Sequence, residues 1–110
     1  FTPDYPGLER PWRIGIAYHR DERFARLLID GLREDDPELT VGDNQPYKVD
    51  DESDYTIPVH GEARGLPHVL VEIRNDGLRS GPDCDAWADR LVRVVRRLLP
   101  DVLARPETRE

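Results

Sequence analysis

The feature that most limits the fold is a change of apolar period early in the chain. From Trp12 to Tyr18 the residues alternate, with Trp12, Ile14, Ile16 and Tyr18 on one side and Arg13, Gly15 and Ala17 on the other. That two-residue period predicts a strand. After His19 and Arg20 the period lengthens. Asp21 is a candidate N-cap, and Phe24, Leu27, Leu28, Gly31 and Leu32 form one helical stripe, with Arg23, Arg26, Asp30 and Arg33 outside it. Asp35, Asp36 and Pro37 end this helix near Glu34. A strand with one buried face, followed by a helix with one apolar stripe, satisfies both by packing one on the other. The expected class is therefore a layered α/β fold.

The remaining elements fit that class. Leu39 to Gly42 reads as a short strand and Pro67 to Arg74 as a third. Ser80, Gly81 and Pro82 open a last helix, in which Trp87, Leu91, Val94, Val95, Leu98 and Leu99 sit at helical spacing. Pro100 is expected to end it, because a proline lacks the amide proton and crowds the preceding turn. Residues 1–11 read as extended and turn-like, punctuated by Pro3, Pro6, Gly7 and Pro11. Residues 43–56 form the longest stretch poor in apolar residues, a loop length that is often functional. A helical turn is possible over 55–65, though Pro58 and Gly61 weaken it. Residues 105–110 read as a charged tail. Three strands make a narrow sheet, better suited to be part of a wider one. With Phe1 first and no methionine in the sequence, the expectation is the later part of a larger domain.

Charge and cysteine content narrow the function. Lys and Arg number 16 against 23 Asp and Glu, a net charge of −7. Phosphate backbones need an excess of positive charge on some face, so nucleic acid is not an expected partner. Cys84 is the single cysteine, which excludes an internal disulfide and a cysteine metal cluster. No apolar run approaches membrane-spanning length. The expectation is a soluble, cytoplasmic protein without a membrane partner.

The stretch His60 to Gly77, HGEARGLPHVLVEIRNDG, concentrates the residues that could do chemistry. Val69, Leu70, Val71 and Ile73 make a strand apolar enough to be buried, and Glu72 interrupts it. A carboxylate there is costly unless it is paired or coordinates something. From spacing alone, an ion pair with Arg74 is the simpler role for Glu72. Its place near the C-terminal end of its strand also suits a ligand site, if the sheet is parallel. His60 and Glu62 lack the Cys-x-x-Cys of zinc deaminases. A zinc site from His60, Glu62 and His68 follows no recognised spacing. Arg64, beside Gly65, is either a surface arginine or a fork for a carboxylate. Asn44 and Tyr47 follow the second strand, and Asn44 suits a left-handed turn as readily as a pocket.

Three segments, VGDNQPY (41–47), DYTIPVHGEARGLPHVLVEIRND (54–76) and DAWADRL (85–91), resemble the C-terminal half of the N-formylglutamate amidohydrolase family. The resemblance covers nearly the whole chain. It implies a three-layer fold of the zinc-carboxypeptidase (phosphorylase/hydrolase-like) type, here as a partial sheet of about three strands with two main helices. Residues 1–104 would be the C-terminal portion of the amidohydrolase domain. It also implies a zinc-dependent hydrolase of N-formylglutamate or a similar small N-acyl amino acid, in histidine catabolism. VEIRND resembles the strand carrying the carboxypeptidase general base, which assigns that role to Glu72. Arg64, Asn44, Tyr47 and His60 match family motifs and become pocket residues, Arg64 for the substrate carboxylate. The family's zinc ligands are expected upstream of Phe-Thr-Pro, so this chain carries no metal ligand set and is expected to be inactive alone. A peptidase or peptidoglycan amidase on the same fold is one alternative. A binding domain that has lost its metal is another.

Overall fold

A computed structural model describes residues 1–50, 54 and 56–104. Its centre is a three-stranded sheet. β1 (Asp4–Tyr5) and β2 (Leu8–Glu9) form a small antiparallel hairpin ahead of it. The hairpin turn needs Gly7, whose φ of 74° lies in the left-handed region. The sheet itself is β3 (Ile14–Ala17), β4 (Val41–Asp43) and β5 (Leu70–Ile73), in the order β4-β3-β5. The helix α1 (Arg23–Asp35) connects β3 to β4, which lie parallel, as a strand–helix–strand crossover requires.

The alternation expected of the first strand sets the two faces of the sheet. Ile14 and Ile16 lie opposite Ile73 and Val71 on β5, and all four join the core beneath the helices. Gly15, Ala17, Leu70 and Glu72 therefore face the other way. Trp12 departs from the expected face: it precedes β3, and its ring lies against Gly42 on the side away from the helices.

Asp21 is not the N-cap that was expected: Glu22 holds that position without a side-chain cap bond, and Asp21, one residue earlier, accepts the Arg23 amide on Oδ1 at 3.2 Å. α1 packs on the long helix α2 (Gly81–Ala104), with Ala25, Leu28, Ile29 and Leu32 meeting Trp87, Val94 and Leu98 in one core. Gly31 permits close approach, since a Cβ there would stand 3.0 Å from Val94 Cγ1. Pro100 does not end α2, which continues for another turn to Ala104. Val102 is buried against the core. Burying such an apolar side chain contributes about 1.5 to 3 kcal/mol, which offsets the hydrogen bond that proline removes.

Residues 56–62 form a π-helical turn, in the region where a helical turn was expected. Ile57 from this turn joins Val49, Ala17 and Leu70 in a second, smaller cluster on the other face of the sheet. The polar segment after β4 thus covers that face. The charged tail at 105–110, and residues 51–53 and 55 of the long loop, lie outside the described residues.

Candidate active site

Glu72 lies on β5 directly across from Gly15 of β3. It is half-buried, and it makes no ion pair or hydrogen bond with the described residues. The simple pairing with Arg74 does not occur. The Arg74 guanidinium is taken by Asp76, with Nε to Oδ1 at 2.7 Å and Nη2 to Oδ2 at 3.0 Å. That pairing holds the Asp76 carboxyl below its ordinary range. β5 runs antiparallel to β3, so the rule placing ligands at the C-terminal ends of parallel strands does not transfer to it. Its C-terminal end is instead bracketed by the start of the chain. The Phe1 amine donates to Ile73 O at 3.0 Å, and Asn75 N donates to Phe1 O at 2.6 Å.

The turn after β4 crosses the same face. The Gln45 carbonyl lies over Gly15 and Gly42, so closely that a Cβ at Gly15 would stand 2.5 Å from it. Glycine at both positions is what allows the turn to sit on the sheet. Asn44 takes a left-handed conformation, with φ of 56°, and extends the pairing. Its amide donates to Ile16 O at 2.8 Å, and its Oδ1 accepts the Tyr18 amide at 2.8 Å. Its visible work is therefore backbone turn chemistry. Tyr47 leaves this turn and accepts a hydrogen bond from Arg10 Nη2 at 2.9 Å. The turn that carries Asn44 and leads to Tyr47 thus lies over the sheet face that Glu72 shares with Gly15. His60 and Arg64 are exposed on the covering segment, and Arg64 has no polar partner among the described residues.

Sequence reasoning missed two residues. Arg10 is the buried charged residue among those described, only 5% exposed. Nothing in the pattern around it signals burial, because it sits among turn residues. Glu62 was weighed only as a metal ligand. Its side chain, 8% exposed, is a hub for the connection between β3 and α1. Oε2 accepts the backbone amides of Arg20 and, at 2.7 Å, Asp21. His19 Nδ1 and Arg20 Nη1 approach Oε1 at 3.2 and 3.5 Å. Burial raises the Glu62 pKa, but those amides and His19 outweigh it and hold the carboxyl below its ordinary value.

A second polar clamp joins β3, β4 and α1. Tyr18 donates its hydroxyl to Asp43 Oδ1 at 2.6 Å, and Arg26 bonds both residues. Burial pushes the Tyr18 hydroxyl up, with Asp43 adding to it.

A zinc site does not fit these residues. The described residues contain no group of three ligating side chains. Of the residues weighed for zinc, His68 Nε2 lies 3.9 Å from Glu62 Oε2, but both Glu62 oxygens are already occupied, Oε1 by His19 at 3.2 Å. The cavity beside His68 has room for a water molecule only, at about 10 Å³. A larger cleft of about 250 Å³, lined by Arg13, Asp76, Trp87 and Arg90 among others, includes none of the expected site residues.

Comparison with known proteins agrees with these segments. The family model for N-formylglutamate amidohydrolase matches residues 2–79. No curated protein matches the chain. A crystal structure of a gene product from Agrobacterium tumefaciens superposes with a TM-score of 0.81 at 33% identity, over 93% of this chain and 40% of that one. The match spans both the sheet and the covering segment, and the chain belongs to the N-formylglutamate amidohydrolase family.

Proposed function

We propose that this chain supplies the general base and part of the substrate pocket of a hydrolase that cleaves the amide bond of N-formylglutamate or a similar N-acyl amino acid. The observation that carries the reading is Glu72. It is a half-buried carboxylate on a strand of the family-matched segment, and no described residue neutralises it. An unpaired carboxylate in such a place costs stability, a cost that accords with a functional role. Amide hydrolysis needs a group that takes a proton from water as oxygen attacks the carbonyl, then gives one to the departing amine. A carboxylate on a strand can do both, because the sheet fixes its position.

Asn44 and Tyr47, on the turn over the same face, would form one wall. His60 and Arg64 would form the outer rim. The family resemblance implies zinc. The described residues offer no ligand set for it, so any metal would be held by other residues. The steps assigned here are those of Glu72 alone.

Replacing Glu72 with Gln in the intact protein tests the reading. The shape is kept and proton transfer is lost, so formate release should fall by about 100-fold or more while substrate binding persists. Formate release near the wild-type rate in a folded Glu72→Gln variant would exclude Glu72 as the base. Short peptides as substrates separate this hydrolase from a peptidase on the same fold.

A further inference from the structure

We infer that Arg10 is the residue that receives the carboxylate of the acyl amino acid, with Tyr47 as its partner. The inference rests on the hydrolase reading for the identity of the ligand. It rests on the structure for the site.

Arg10 is a buried cation without an anion. It is 5% exposed, and no carboxylate among the described residues pairs with it. Three aromatic rings surround the guanidinium, Tyr5 at 4.4 Å, Tyr47 at 5.0 Å and Phe1 at 5.9 Å. These π faces soften the loss of water around the charge but do not neutralise it. Only two of its hydrogen bonds have partners here, Nη1 to Thr2 O at 3.1 Å and Nη2 to the Tyr47 hydroxyl at 2.9 Å. Nε is buried with no acceptor among the described residues. Burying an arginine this way is unfavourable unless something completes it. What is missing is a planar anion with two oxygens, because Nε–H and an adjacent Nη–H form a fork that fits a carboxylate. Tyr47 adds a donor. Its oxygen accepts from Arg10, which leaves its own proton to give.

The position fits as well. The Arg10 carbonyl accepts Arg74 Nη1 at 3.0 Å, and Arg74 directly follows β5, two residues beyond Glu72. Thr2 and Phe1 belong to the segment bracketing the end of that strand. Tyr47 comes from the turn that crosses the Glu72 face. The Tyr5 ring, half exposed on the β1–β2 hairpin, closes over the guanidinium and is the group a ligand must displace. Arg64 is exposed and hydrated by comparison, so a carboxylate gains less from it.

The test is binding of glutarate to the intact protein by calorimetry, with glutaramide as the uncharged control. Saturable binding of glutarate alone is expected. Arg10→Lys, which keeps the charge and loses the fork, should weaken it about tenfold or more. Tyr47→Phe should weaken it a few-fold, and Arg64→Lys should leave it within about twofold. Arg10→Met should abolish binding, while its thermal midpoint without ligand stays equal to wild type or rises, because an uncompensated buried charge has gone. Glutarate failing to bind the wild type overturns the inference. So does unchanged binding in Arg10→Lys, or loss of binding in Arg64→Lys instead. Should Arg10→Met fail to fold, the Arg10→Lys comparison still decides. A protein that binds glutarate through Arg10 but releases no formate keeps this site and refutes the hydrolase reading.

Discussion

Glu62 provides the sharpest test of how the covering segment is held to the sheet. Two backbone amides, of Arg20 and Asp21, point at one of its oxygens, with His19 and Arg20 side chains at the other. A hydrogen bond to a charged acceptor contributes about 1.5 to 3 kcal/mol. In Glu62→Ala the Arg20 amide is exposed and can turn to water, whereas the Asp21 amide is partly buried and cannot do so fully. The expected cost is about 2 to 4 kcal/mol at neutral pH. Glu62→Gln keeps a carbonyl for the two amides and loses only the charge, so about 1 to 2 kcal/mol is expected. With a urea slope of about 1.5 kcal/mol per molar, the alanine variant should unfold roughly 1 to 3 M earlier than wild type.

The pH dependence has a definite sign. The folded-state pKa of Glu62 is lowered, so the charge stabilises the fold above the unfolded value of about 4.3. That stabilisation disappears as pH falls through the folded value. The gap between wild type and Glu62→Gln should therefore be full at pH 7 and close below about pH 4. The gap between Gln and Ala should persist, since it reflects shape and acceptor count. Asp21, Asp43 and Asp76, also held below their ordinary range, titrate in all three proteins and largely cancel in the comparison. A wild type to Gln gap that is the same at pH 7 and pH 3, or an alanine cost under about 0.5 kcal/mol, would falsify the hub assignment.

Other outcomes follow from the same geometry. Gly42→Ala should cost about 2 kcal/mol or more, because the obstructing atom is the Gln45 backbone oxygen and cannot swing aside. It should also displace Tyr47, and tyrosine fluorescence or ring shifts in NMR would report that. Leu28→Ala, in the centre of the core, should cost about 2 to 5 kcal/mol in urea unfolding. Asp35→Asn breaks pairs with Arg93, whose side chain is 55% exposed, and with Arg90, and should lower the urea midpoint slightly, by an amount that shrinks in high salt.

Much of the layer structure was legible in the residues. The period of Trp12 to Tyr18 correctly separated Ile14 and Ile16 from Gly15 and Ala17. The stripe from Phe24 to Leu32 became the face of α1 that meets α2. Both follow from local geometry, since side chains alternate on a strand and recur every third or fourth residue on a helix. Trp12 escaped because alternation holds only within the strand, and β3 begins after it. Pro100 escaped because burial of Val102 holds the last turn despite the proline.

The candidate site divides along the same line. That Glu72 stands in an apolar strand facing away from Val71 and Ile73 was readable from the residues, because those facts depend on neighbours one and two residues away. The sequence also carried the family, through contiguous segments. The assembled fold set β5 antiparallel to β3, turned Arg74 to Asp76 so that Glu72 has no side-chain partner among the described residues, and buried Arg10. Arg10 meets Tyr47 across 37 residues, and Glu62 meets Asp21 across 41. Such contacts depend on how whole elements are placed, and burial of a charge is a property of everything packed around it.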